Sequence, residues 1–109
     1  MTVSNQERIR QQLSSWPGVT VQPHRFGGIE FLYRGREIGH LHGDSLVDLT
    51  LPKRQRDQAL EEGRARPHHI YPESGWVSIY LESEKELDQA LAFLRLNYER
   101  LAAKLPESE

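Results

Sequence analysis

An α+β fold, in which a mostly antiparallel sheet of about five strands packs against a long C-terminal helix, follows from three features of the sequence. Apolar residues alternate in short runs from Val19 to Leu51, a second alternating run spans Trp76 to Leu81, and a stripe at helical spacing fills the C-terminal quarter. The 109 residues match the usual domain size of roughly 100–150 residues, so a single domain over 1–109 is expected.

Ser4 or Asn5 can cap a short N-terminal helix whose apolar positions, Ile9, Leu13 and Trp16, follow a four-then-three spacing before Pro17-Gly18 ends it. Strands are predicted near 19–24, 29–34, 36–42 and 46–51, because Gly27-Gly28, Arg34-Gly35 and Gly43-Asp44 punctuate the alternating runs as turns or bulges. Pro52 suits a helix entry, and a polar connecting helix is predicted from about Lys53 to Glu62, stopping at Gly63. Arg64 to Gly75 reads as an irregular loop, and Trp76 to Leu81 as the last strand. Ser83 with Glu86 forms a capping-box signature for the final helix, in which Leu87, Ala90, Leu91, Leu94, Tyr98 and Leu101 recur to about Lys104. Leu87, Leu91, Leu94 and Tyr98 are expected to bury against Val77 and Ile79. Pro106 to Glu109 reads as a frayed tail.

Composition narrows the function. Lys plus Arg number 14 against 16 Asp plus Glu, with no long block of one sign, so a nucleic-acid partner is not expected. With no Cys there is no thiol nucleophile and no thiolate metal cluster. No apolar run approaches the roughly 18–20 residues that span a bilayer, and Met1 to Gln12 is too polar for a signal peptide, so a cytoplasmic location without membrane contact is expected.

The placement of histidine carries the rest. Side chains alternate across a strand, so His40 and His42 point together, with Ile38, while Leu41 points the other way. If Leu41 joins the aliphatic face of Val47, Leu49, Val77 and Ile79, both imidazoles share the other face with Asp48, Trp76, Ser78 and Tyr80. Such a mixture of imidazole, carboxylate, hydroxyl and aromatic rings suits a small-molecule pocket. The 64–75 loop, with His68 and His69, and the N-terminal helix are the segments left to cover it. His can remove a proton near neutral pH, and Asp48 can orient it. Glu37, on a central strand, faces solvent, pairs with an Arg, or, as Asp48 can, hydrogen-bonds to the His pair and orients it. Trp76, Tyr80, His69 and Arg66 are candidate substrate contacts, although large rings in strands are more often plain packing and arginines a solvated rim. His40-Leu41-His42 also forms half of a metal site that a third ligand could close, and the competing structural reading is a pair that only supports a turn.

The stretch Arg36-Glu37-Ile38-Gly39-His40-Leu41-His42, followed by Asp48-Leu49, the Gly63 to His68 turn, the Trp76 strand and the long last helix, resembles the luciferase-like domain of luminous fungi and of many small bacterial proteins. The resemblance runs over about Arg36 to Leu101. It implies an oxygenase that uses O2 without metal or flavin on an electron-rich hydroxypyranone, through a high-energy peroxide. Carried over, it points to Glu37, His40, His42, Asp48 and His68 as catalytic residues. The leading expectation is therefore a cofactor-independent oxygenase acting on an electron-rich aromatic or enolisable small molecule, with O2 as co-substrate and no metal. The alternatives are a non-enzymatic small-molecule or protein-binding module with a His-rich pocket, and a metal-dependent enzyme built on the same histidines.

Overall fold

The computed structural model describes residues 3–23, 28–68 and 75–104. Gly27, His69, residues 70–74 of the long loop and the tail from Pro106 lie outside them. The chain runs α1 (Asn5–Ser14), β1 (Val19–Pro23), β2 (Ile29–Tyr33), β3 (Arg36–His42), β4 (Leu46–Thr50), α2 (Lys53–Glu61), β5 (Arg66–Pro67), β6 (Trp76–Tyr80) and α3 (Glu84–Lys104). The strands form one antiparallel sheet in the order β1-β2-β3-β4-β6-β5, so the fold is α+β as the alternation predicts. The sixth strand is the difference. Arg66 and Pro67 pair with Ser78 and Val77 at the sheet edge, inside the segment that reads as a loop. Two residues are too few for a periodic signal, and proline is tolerated at an edge.

Each helix has a local cause. Ser4 caps α1 by accepting from the Glu7 amide at 3.1 Å, and the Asp44 turn between β3 and β4 takes the Gln6 amide on its Oδ1 at 2.9 Å. α2 carries the chain from β4 past β6 to edge strand β5 and buries Ala59. In α3 the Ser83 hydroxyl meets the Glu86 carboxylate, the capping pair visible in the sequence.

The aliphatic face behaves as parity requires. Leu41 pairs with Val47, Val47 with Ile79, and Leu49 with Val77, and all five are buried in one core with Leu87, Ala90, Leu94 and Tyr98. Gly39 belongs to this side: a Cβ there would come within 2.7 Å of Leu94 Cδ2, so its absence lets α3 lie close on β3. The helical stripe departs from expectation by a fraction of a turn. Leu91 is only partly buried, whereas Phe93 and Asn97 are buried, since a straight α-helix turns 3.6 residues per revolution and its contact line drifts.

α1 does not cover the opposite face. Trp16 sits 5.1 Å from the Tyr98 ring, Tyr98 donates its hydroxyl to the Pro17 carbonyl, and Arg8 pairs with Glu84, all of which tie the N-terminal segment to α3. Ile9 and Leu13 enter the same core, which leaves the histidine face without that helix.

Leu94 is fully buried between α3 and Gly39, so Leu94→Ala should lower stability by about 2–5 kcal/mol through lost transfer energy and a cavity. Leu91→Ala should cost clearly less. Urea titrations of both variants measure the difference, and equal losses would contradict this placement of the helix.

Candidate active site

Two strands flanking β4, and the residue that follows β5, aim their side chains at one carboxylate. Asp48, on β4, has no solvent exposure. Directly opposite on β3 is His40, and directly opposite on β6 is Ser78. Ser78 Oγ donates to Asp48 Oδ1 at 2.6 Å. The other oxygen, Oδ2, is ringed by imidazoles, with Nε2 of His42 at 3.2 Å, of His68 at 3.3 Å and of His40 at 3.4 Å. His40 and His42 arrive from β3 because they are two residues apart on one strand. His68 arrives from the other flank because Arg66 is registered against Ser78, so position 68 returns to the same face.

A β-bulge completes the arrangement. The β2–β3 register slips between Phe31 and Leu32, which pair with Gly39 and Glu37, leaving Ile38 as the extra residue. Unbroken alternation would send Glu37 and His40 to opposite faces. With the extra residue they share one, and His40 Nδ1 donates to Glu37 Oε2 at 2.6 Å. One expectation is corrected by this feature: Ile38 does not follow the parity of His40 and His42 but lies in the hydrophobic core. Glu37 pairs with His40, the reading in which a carboxylate orients the imidazole.

A side chain from α3 reaches the sheet beside the bulge. Pairing between β3 and β4 stops at His40 and Asp48, and the next carbonyls, of Ile38 and Thr50, both accept from Asn97 Nδ2, at 3.1 and 2.6 Å. Asn97 is buried in α3, and it is the supporting residue that the sequence reading missed. Its signal was a polar side chain three residues beyond Leu94 within the apolar stripe.

Aromatic rings wall the cluster. Trp76 lies 5.3 Å from the His40 ring and 6.0 Å from that of His68, and His40 meets His42 edge to face at 4.9 Å. Tyr80 and Arg66 stand at the margin of the same face, the guanidinium 5.3 Å over the phenol ring. Of the sequence-predicted site residues, Glu37, His40, His42, Asp48 and His68 are therefore brought together, Trp76 borders them, Tyr80 and Arg66 flank them, and His69 lies outside the described residues. His42 is the most open of the three imidazoles, its side chain 30% exposed.

A comparison with protein families matches residues 35–97 to the Luciferase domain. That is more than half of the chain. The chain belongs to the luciferase-domain family. The part matched to the luciferase domain begins at β3 and ends within α3, so it contains the whole Asp48 cluster, the bulge and Asn97. No curated protein and no solved structure matches this luciferase domain. Among its described residues no helix is long and apolar enough to cross a membrane.

The electrostatics of His40 follow from its two carboxylates. Burial alone would lower its pKa, but hydrogen bonds to Asp48 and Glu37 and their negative charges outweigh that, raising it from 6.5 to about 9. Protonated His40 therefore contributes stability that is complete below the unfolded value near 6.5 and is lost as pH rises through about 9. In protein stripped of metal ions, unfolding free energy should fall between about pH 6.5 and 9 by up to roughly 3 kcal/mol, and His40→Gln should flatten that slope. Urea unfolding across this range, beside titration of the His40 ring by NMR, checks it. A ring that titrates near 6.5 would contradict the network.

Proposed function

We propose that this luciferase-family protein is an oxygenase that adds O2 to an electron-rich, enolisable or phenolic small molecule at the Asp48 cluster. The observation that carries the reading is the convergence of three imidazoles on one buried carboxylate, beside an aromatic wall and inside the family-matched segment. O2 reacts slowly with closed-shell neutral molecules, and the usual remedy is to make the organic partner an anion. A C–H or O–H proton of the substrate leaves to the cluster. The resulting enolate or phenolate passes one electron to O2, and the superoxide and substrate radical so formed join in a C–O bond. The product is a peroxide, which takes the proton back, so substrate and O2 are the only net reactants.

The site suits both halves of this sequence. Imidazoles next to a carboxylate exchange protons near neutral pH, and buried N–H donors favour the developing anion more strongly than water does. His42 is the imidazole that a ligand on this face reaches first, whereas His40 is held between Glu37 and Asp48. Trp76 offers a flat surface for an aromatic or pyranone ring, and Tyr80 with Arg66 offers polar contacts at the margin. No membrane or nucleic-acid partner is needed for this reading, which places a small molecule on the histidine face.

Oxygen uptake over a panel of hydroxypyranones, catechols and flavonols tests the proposal with wild type, Asp48→Asn and His42→Ala. Turnover of at least one compound by wild type is expected, with kcat lowered by about 100-fold or more in both variants and the circular dichroism unchanged. Uptake that is unaltered in both would reject the site, and tight binding of panel compounds without uptake would favour a binding module.

A further inference from the structure

We infer that His40, His42 and Asp48 are the protein ligands of a divalent transition-metal ion, with His68 as a fourth side chain of the same site. The inference deepens the oxygenase reading and rests on it only for the use of the ion, not for its binding. It also departs from the metal-free chemistry that the resemblance to fungal enzymes implies.

Distances supply the first argument. One ligand atom from each of His40, His42 and Asp48 lies within 4.8 Å of the other two. In a tetrahedral centre with bonds of about 2.0–2.1 Å, neighbouring ligand atoms stand about 3.3–3.4 Å apart. The separations from Asp48 Oδ2 to the three imidazole Nε2 atoms are 3.2, 3.3 and 3.4 Å. The His40 and His42 nitrogens and the Asp48 oxygen are thus already spaced along two carboxylate edges of such a centre, with His68 beside the same oxygen.

The groups behind the ligands supply a second, independent argument. An imidazole that binds a metal through one nitrogen commonly donates the other N–H to a carboxylate, which fixes the tautomer and the ring plane. His40 does this with Glu37, at 2.6 Å. A ligating carboxylate is in turn held by its free oxygen, as Ser78 holds Asp48 at 2.6 Å. The β3 bulge lies in the place that lets Glu37 reach His40.

Charge and donor type choose the ion. With neutral imidazoles the cluster carries the two negative charges of Asp48 and Glu37, which a dication cancels. Imidazole nitrogens with one carboxylate oxygen suit iron, zinc, cobalt, nickel or copper and not magnesium or calcium. Two histidines and one carboxylate with positions left open form the donor set used by non-haem Fe(II) in oxygen chemistry. Fe(II) is therefore the ion this site would use in an oxygenase, and coordination of the substrate oxygen would generate its anion where the reading above leaves that step to the cluster as a whole.

The test uses the full chain, purified without an affinity tag and stripped with a chelator. Calorimetric titration with Zn(II), anaerobic titration with Fe(II) and visible spectroscopy with Co(II) should each give one ion per chain, with d–d bands for Co(II). Asp48→Asn and His42→Ala should weaken binding by about 100-fold or more, and Glu37→Gln, which keeps every ligand, by about 10–100-fold. Absence of saturable binding by wild type, or affinities unchanged in all three variants, would overturn the inference. Oxygen uptake in the same preparations separates the two readings. Turnover by stripped protein that binds no ion sinks the metal site and leaves the oxygenase, whereas one bound ion without turnover of any panel compound sinks the oxygenase and leaves the metal site.

Discussion

A carboxylate taken wholly out of water in the middle of a sheet is the constraint around which this structure is organised. Burying an ion carries an effective penalty of several kcal/mol, and it is tolerated only where hydrogen-bond donors or opposite charges meet both oxygens. Asp48 finds them in the order β3-β4-β6-β5. Ser78 answers from one neighbouring strand and His40 with His42 from the other, while His68 needs β5 to be registered on β6 before it can arrive. The strand order that closes the core is the same order that gathers the polar side chains. Removing Asp48 alone would leave three imidazoles crowded without a common partner, so the cluster stands or falls as a unit.

The bulge at Ile38 is the second device, and its cost is met from the opposite side of the sheet. Beside the extra residue, one amide from α3 donates to the Ile38 and Thr50 carbonyls together. Asn97 thus links the packing of the long helix to the orientation of Glu37. A helix that served only to cover a sheet would carry an apolar residue there. The carboxylate–histidine pair on one face is therefore held by a polar contact in the aliphatic layer on the other.

Much of this was readable in the sequence, for physical reasons that also mark where reading stops. Alternation placed His40, His42, Asp48 and Ser78 on one face and Leu41, Val47 and Leu49 on the other, because β4 and the end of β3 are regular and a period of two leaves no third choice. Ile38 escaped because a bulge is a change of register that no run of seven residues announces. β5 escaped because it is two residues long, and His68 was placed through the covering loop and the family resemblance instead of through a strand. Phe93 displaced Leu91 from the core because a 3.6-residue turn is only approximated by threes and fours. α1 could be read as a helix from its cap and spacing, but not where it docks, since Trp16 and Arg8 find Tyr98 and Glu84 more than seventy residues away.

The two halves of the chain divide the work accordingly. Residues 35–97 hold the Asp48 cluster, the bulge and the amide that supports it, and this is the stretch shared with the luciferase domain. Before it, α1, β1 and β2 contribute Ile9, Leu13, Trp16, Phe31 and Tyr33, of which Trp16 and Tyr33 pack on Tyr98 at 5.1 and 5.3 Å. They seat the C-terminal half of α3, and α3 through Asn97 and Leu94 sets how β3 lies against β4. A substitution in the N-terminal segment would therefore act on the site through the angle of one helix, as a loss of order in the His40–Glu37 pair before any loss of a reacting group. Substitutions at His42 or Asp48 act the other way round, removing chemistry from a face whose side chains contribute little to the aliphatic core. The separation arises because an antiparallel sheet can bury one face under a helix and leave the other to polar chemistry.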